Sequence, residues 1–196
     1  MASEVGEQAA VQRRSLSLGM TGMYIFLLSE VMFFAALFGA YFYLHAASSV
    51  WPPPGTERIP LIPIPLINSV VLFTSGGTMH VSHLYIQKGD RKKFIIYLVI
   101  TIILGTMFVL GQAYEYTHAH MVLTTNKFSN AFFIMTGFHG LHVTGGIIFL
   151  LIVLIRALRG DFNSKNHLAV QTAAIYWHFV DLVWVFLLLA LYIFSG

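Results

Sequence analysis

The chain contains no cysteine. Disulfides, Fe–S clusters, c-type haem attachment and any Cys-based copper centre are therefore excluded from it. Charge is also scarce: 10% of the 196 residues are Asp, Glu, Lys or Arg, against about 25% in soluble domains. Hydrophobic residues make up 57% and the mean hydropathy is +0.76. Such a composition excludes a soluble domain and reads as an integral membrane protein with little outside the bilayer. The opening stretch MASEVGEQAAVQRR is polar and mixed in charge. It has no apolar h-region and so does not read as a secretory signal peptide. Residues 1–15 are expected to form a short mobile tail on the cytoplasmic side. Proline is confined to one place: all six lie between Trp51 and Pro65, which predicts a rigid, extended cover on the membrane surface.

What is abundant is long apolar sequence. A spanning helix needs ~20 apolar residues, and five runs qualify: Leu18–Ala46, Pro65–Gln87, Phe94–Tyr116, Asn130–Arg156 and Thr172–Phe194. The loops between them are short and no internal repeat is evident. The expected fold is all-α, a single up-and-down bundle of five transmembrane helices over residues 16–196. Orientation follows from the basic residues. Arg13, Arg14, Lys88, Arg91, Lys92, Lys93, Arg156, Arg159 and Lys165 fall on one side, and only Arg58 and Lys127 on the other. This asymmetry predicts a cytoplasmic amino terminus and an external carboxyl terminus. The net charge of +3 is then a topology signal. It does not imply a nucleic-acid partner, because the basic residues sit in short juxtamembrane loops. Those loops suit anionic lipid headgroups, or serve orientation alone.

Inside the apolar runs lie a few ionisable residues. Glu30 is the only acid in its run, and Asp181 lies in the fifth. A charge at mid-bilayer costs several kcal/mol unless it is paired, solvated by cavity water or neutralised. At ~1.5 Å of rise per residue, Glu30, Asp181, His139 and His142 all fall roughly 13–18 Å deep, so two acids and two imidazoles share one layer. His139 and His142 are spaced i,i+3, as are His178 and Asp181, which allows contact along each helix. Trp177, Asp181 and Trp184 fall on one stripe. Gly137, Gly140, Gly145 and Gly146 make the fourth helix thin enough for close approach. These polar groups either glue the bundle by interhelical hydrogen bonds or carry a function, and Glu30, with no ionisable neighbour on its own turn, is the hardest to explain structurally.

Metal ligation is the sharper alternative for the histidines. His80 and His83 form HxxH, as do His139 and His142, while His118 and His120 form HxH. Depth separates these groups into the cytoplasmic side, the midplane and the external side, so they do not meet around one ion. No metal or haem is expected in this chain. Gln112 and Glu115 lie near the outer end of the third helix and favour a structural role. Trp51 and the tyrosines near helix ends read as interfacial anchors.

Six segments carry a resemblance. YWHFVDLVW (Tyr176–Trp184), GFHGLHVTGG (Gly137–Gly146), SEVMFF (Ser29–Phe34), WPPPG (Trp51–Gly55), PLINS (Pro65–Ser69) and GQAYEY (Gly111–Tyr116) resemble motifs of subunit III of haem-copper cytochrome c oxidases. They occur in that family's order, and the match runs from about Leu16 to the end. Two departures stand out. Longer members have seven helices and this chain lacks the first two, like five-helix bacterial forms. The family often has two adjacent histidines at the end of the second helix; His83 matches the first, and Leu84 replaces the second. Glu30 and the WPPPG loop are more similar to the cytochrome c-oxidising branch than to the quinol-oxidising one.

The resemblance implies a bacterial cytoplasmic-membrane protein of the aerobic respiratory chain. Its partners would be subunit I, which holds the haems and copper, subunit II, bound phospholipid and a respiratory supercomplex. Subunit III carries no redox centre in that family and supports oxygen reduction and proton pumping by subunit I. The positions that match its motifs are Ser29, Glu30, Trp51, Asn68, His83, Gln112, Glu115, His139, His142, Tyr176, Trp177, His178, Asp181 and Trp184. Two other readings stay open: a subunit III-like accessory or assembly protein of a nitric oxide reductase, or a quinol oxidase subunit III. An independent proton-coupled transporter would show repeats or broken helices, and neither is present.

Overall fold

A computed structural model describes residues 2–54, 56, 64–119 and 122–193, with side chains from Leu18 onward. The expected tail over residues 1–15 lies where side chains are not described. Most of the proline-rich cover (55 and 57–63), with Arg58, also lies outside the described residues, as does His120. Five helices run in order: α1 (Ala2–Ala46), α2 (Ile64–Gln87), α3 (Arg91–His118), α4 (Lys127–Arg159) and α5 (Leu168–Leu188). A five-residue π-helical turn, Leu189–Ile193, continues α5. Among the described residues all regular structure is helical, and all five helices are long and apolar enough to cross a membrane.

The start of α3 and both ends of α4 lie three residues beyond the apolar runs, where caps set them, whereas α1 begins at Ala2, sixteen residues before its run. Pro65 stands in the first turn of α2, where its missing N–H costs nothing. Asp90 Oδ1 accepts from Lys93 N at 3.1 Å and starts α3. Asn126 Oδ1 accepts from Ser129 N at 2.9 Å and starts α4. Gly160, at φ 94°, ends α4 in the left-handed conformation that glycine adopts without strain. The Arg91 guanidinium closes the same end from α3, donating to the Ala157 and Leu158 carbonyls at 2.9 Å each. A cation on those orphaned carbonyls also complements the helix dipole.

Helix α5 is the most buried of the five spans and α1 the least. Helices α2, α3, α4 and α1 follow one another in an arc, each packing on the next, and α2, α4 and α1 each pack on α5. Lipid tails are as apolar as leucine, so such a bundle is held by close packing and interhelical hydrogen bonds more than by water exclusion. The packing centres on Trp177 and Trp184 of α5, both fully buried in one apolar core with Leu72, Met79, Leu98 and Phe108. The small residues that admit Trp177 stand on two neighbours. A Cβ at Gly105 or Gly146 would lie 2.6 Å or 2.9 Å from its ring. Of the four α4 glycines expected to permit close approach, only Gly146 does so. Gly140 faces open space, and Gly137 and Gly145 have ordinary contact distances.

Candidate functional site

The layer expected at mid-depth divides into two arrangements, one outward and one inward. On the outer side, α1 lays Glu30 against α4. His142 Nε2 and Glu30 Oε2 are 2.8 Å apart, and both side chains remain part-exposed, at 17% and 20%. The other ring nitrogen, Nδ1, lies 2.7 Å from the Phe138 carbonyl oxygen. A carbonyl only accepts, so Nδ1 carries a proton and donates. One further proton then sits between Nε2 and the carboxyl. Held on Glu30 it gives a neutral acid beside a neutral imidazole; held on His142 it gives a carboxylate–imidazolium pair. Either way the pair has no net charge, which is what a membrane span tolerates. Phe34 stands edge-on to the His142 ring at 4.9 Å, and Tyr176 donates to the His142 carbonyl at 3.0 Å. The neighbouring Ser29 hydroxyl turns back on its own helix, donating to the Phe26 carbonyl at 2.6 Å.

On the inner side His139 is fully buried. It stacks on Trp184 at 5.1 Å and meets the edge of Phe108 at 5.7 Å. Neither ring nitrogen has a hydrogen-bond partner among the described residues. The i,i+3 spacing thus does not give the two α4 histidines a shared role: His139 points into the core and His142 out to α1.

Helix α5 anchors the inner side through its indoles. Trp184 Nε1 donates to Ser69 Oγ at 2.8 Å and Trp177 Nε1 to Ser75 Oγ at 3.0 Å. Each serine in turn donates to a carbonyl of α2, Pro65 or Leu72. Asp181, between the tryptophans in sequence, turns towards α2. Its carboxylate occupies the space where a Cβ at Gly76 would be. Its Oδ2 lies 3.7 Å from His178 Nδ1, and its Oδ1 is buried without a partner among the described residues.

Towards the far ends of α3 and α5, Glu115 is buried. It accepts from Gln112 Nε2 at 3.0 Å and from the Tyr192 hydroxyl at 2.9 Å. The π-helical turn brings Tyr192 there. Asn68 donates to the Phe108 carbonyl at 3.4 Å and fills the space a Cβ at Gly111 would need. Trp51 is more than an interfacial anchor. Its ring meets Tyr41, His45 and Phe128 edge-on, and its Nε1 donates to the Tyr41 hydroxyl at 3.3 Å. At the opposite end His83 lies beside His167, with ring centroids 5.8 Å apart, and Gln87 Nε2 is 3.3 Å from His83 Nε2. Among the described residues no group of three or more His, Asp or Glu side chains is placed to hold a metal ion.

The sequence pattern brought out the members of the polar layer and His142 among the possible partners of Glu30, but not the groups on the facing helices that hold the rest. Ser69 and Ser75, Tyr192, Gly76 and Gly105 carry as much of the geometry as the motif residues. Only Ser69 stood within a motif. The others are small or polar residues whose value depends on what the next helix presents.

The family model for cytochrome c oxidase subunit III matches residues 2–196. A cytochrome c oxidase subunit 3 of Allomyces macrogynus is 41% identical over 185 residues, covering 91% of this chain and 68% of that protein. One from Synechocystis sp. is 40% identical over 177 residues, covering 90% of this chain and 76% of that protein. One from Loxodonta africana is 42% identical over 176 residues, covering 87% and 67%. With five spanning helices in sequence and a match along nearly its whole length, the chain belongs to the cytochrome c oxidase subunit III family.

Proposed function

We propose that this chain is the third subunit of a haem-copper terminal oxidase that takes electrons from cytochrome c in a bacterial aerobic respiratory chain. It sits in the cytoplasmic membrane with its amino terminus inside, as the crowding of Lys and Arg on one side supports. It packs beside subunit I, which holds the haems and copper, and within the same complex as subunit II and bound phospholipid. It carries no catalytic centre of its own. Its polar layer, Glu30, His139, His142, His178 and Asp181, serves oxygen reduction and proton pumping indirectly.

The observation that carries this reading is the Glu30–His142 pair. A carboxyl and an imidazole share one proton at 2.8 Å within two spanning helices, at a place the surface still reaches. Such a pair holds an ionisable group within a spanning helix without net charge, and its proton can pass between Nε2 and the carboxyl with that net charge unchanged. It fits a subunit that supports proton movement and stability next to a catalytic neighbour.

Co-purification tests the assignment: the tagged chain should bring down a haem-containing polypeptide in stoichiometric amount. Glu30→Gln tests the supporting role. The variant complex should keep its haem spectrum and most of its oxygen reduction, with the loss appearing in pumping or in sustained turnover. Abolition of oxygen reduction in an assembled Glu30→Gln complex would put Glu30 on the obligatory path and refute the supporting role.

A further inference from the structure

Helix α5 changes its winding near its far end. Over Leu189–Ile193 it widens into a π-helical turn in which Ala190, Leu191 and Tyr192 are buried. The widening decides which residues face the core. Each residue of an α-helix advances ~100°. Tyr192, eight residues past Trp184, would therefore stand ~80° round from it in an unbroken helix. A π-helical turn, closed by i→i+5 bonds, advances less per residue and brings Tyr192 back towards the Trp184 face. There its ring lies 6.4 Å from Trp184 and meets Phe132 of α4 edge-on at 5.9 Å. Its hydroxyl reaches Glu115 Oε1 of α3 at 2.9 Å.

Such turns are rare, and something must favour this one. The buried hydroxyl of Tyr41 on α1 donates to the Ala190 carbonyl at 2.7 Å. A donor from another helix competes for that carbonyl with the α-helical N–H, and a side chain inserted into the hydrogen-bond ladder makes a helix depart locally from α geometry. Tyr41 is itself held. Trp51 Nε1 donates to the Tyr41 oxygen at 3.3 Å, which leaves the Tyr41 proton for the carbonyl. The two rings meet edge-on at 5.6 Å, and Trp51 meets Phe128 of α4 in the same way at 5.7 Å. Ala190 and Tyr192 are two residues apart and face roughly opposite ways. Tyr41 and Glu115 thus grip the turn from opposite sides.

We infer that Tyr41 is a positioning residue for the buried acid Glu115. By holding the Ala190 carbonyl it fixes the π-helical register, and that register delivers the Tyr192 hydroxyl to the Glu115 carboxyl. The corner formed by Trp51 and the end of α1 is thereby interlocked with a carboxyl on α3 that it does not face. Without the Tyr41 hydroxyl the last residues of α5 return to α-helical winding and Tyr192 turns away. Glu115 then keeps the Gln112 amide, now at 3.0 Å, and loses its second donor.

A fluorine label on Tyr192 reads this contact in the purified complex. 3-Fluorotyrosine is placed at position 192, where its resonance responds to the hydrogen bond of the hydroxyl, and Glu115→Ala supplies the position of the unbonded ring. Tyr41→Phe should move the resonance at least half-way to that position. Glu30→Ala releases α1 at its other fastening, to His142, and should leave the resonance where it is. An unmoved resonance in Tyr41→Phe would overturn the inference. So would an equal movement in Glu30→Ala, since a general loosening of α1 would then explain both. A cycle on unlabelled complexes tests the same link by another route. Tyr41→Phe and Tyr192→Phe together should lower the temperature of subunit release by clearly less than the sum of the two separate losses. Additive losses would mean that the two hydroxyls act independently, and would also overturn it.

Discussion

His142 and Glu30 meet at 2.8 Å across α4 and α1, and the Phe138 carbonyl 2.7 Å from the opposite ring nitrogen fixes how they meet. Because Nδ1 must donate to that carbonyl, Nε2 has one state as acceptor and one as donor, and the carboxyl takes the complementary state. Among the described residues helix α1 packs mainly on α5 and α4, and this hydrogen bond joins that of the Tyr41 hydroxyl to the Ala190 carbonyl, 2.7 Å, in setting its rotation.

A double-mutant cycle on the pair should therefore show coupling. Glu30→Ala leaves Nε2 of His142 without its partner, and His142→Ala leaves the carboxyl without its own. Each should weaken the hold of α1 by about 1–3 kcal/mol, with the double variant costing clearly less than the sum. Thermal release of the subunit from the purified complex reads this. Additive losses would mean that the contact contributes nothing to stability.

Trp177 gives the second prediction. Its indole is gripped by Gly105, Gly146 and the Ser75 hydroxyl, and a rigid ring cannot give way as a flexible side chain can. Gly105→Ala should cost about 1–3 kcal/mol through overpacking. Combined with Trp177→Phe, it should cost less than it does alone in the wild-type background, because the smaller ring leaves room. Gly140→Ala, which meets open space, should stay within about 0.5 kcal/mol. Unfolding of the detergent-solubilised complex separates these cases, and equal losses at Gly105 and Gly140 would defeat the argument.

Those two glycines also mark how far the sequence reaches. Five apolar runs are legible because a bilayer imposes a length that few other environments demand, and, apart from the start of α1 at Ala2, the helix ends fall within a few residues of them. That Glu30 and His142 fall at one level is legible too, since rise per residue is fixed, and the two meet at 2.8 Å. Azimuth is not. His139 and His142 are close on one helix, yet one stacks on Trp184 and the other meets Glu30, because the neighbours of α4 differ on its two sides. A sequence lists the glycines without saying which face a tryptophan, so Gly140 looked as important as Gly146, while Gly105 and Gly76 drew no notice. The Tyr192 contact depended on a π-helical turn, a local departure that shifts the phase of the last residues and leaves no periodic trace.

Asp90 supplies a dependence on pH outside the membrane. Its carboxyl is held below its ordinary range, chiefly by the Lys93 backbone N–H and then by the Lys93 side chain. A carboxyl depressed on folding contributes stability above its unfolded value and loses it as pH falls through the folded value. Protection of the Lys93 amide from hydrogen exchange should accordingly decline on acidification through and below the usual carboxylate range. Asp90→Asn keeps a capping oxygen and should flatten the decline. Equal acid sensitivity in both proteins would show that the cap is not the titrating element.

Glu115 carries the last prediction. It is a buried acid with no cation beside it, satisfied by two donors: Gln112 Nε2 at 3.0 Å and the Tyr192 hydroxyl at 2.9 Å. A hydroxyl both donates and accepts. Glutamine at position 115 can keep its carbonyl towards Gln112 and turn its amide to Tyr192, whose hydroxyl then accepts. Glu115→Gln should therefore be tolerated, with a cost of about 1 kcal/mol or less. Glu115→Leu strands both partners in the core and should cost more, about 2–5 kcal/mol for two unmet groups. Tyr192→Phe removes one donor and should fall between them. Thermal unfolding of the three variants in the complex checks the order. A leucine variant as stable as the glutamine one would mean that the Glu115 contacts do not tie the π-helical end of α5 to α3, and that apolar packing alone holds this corner.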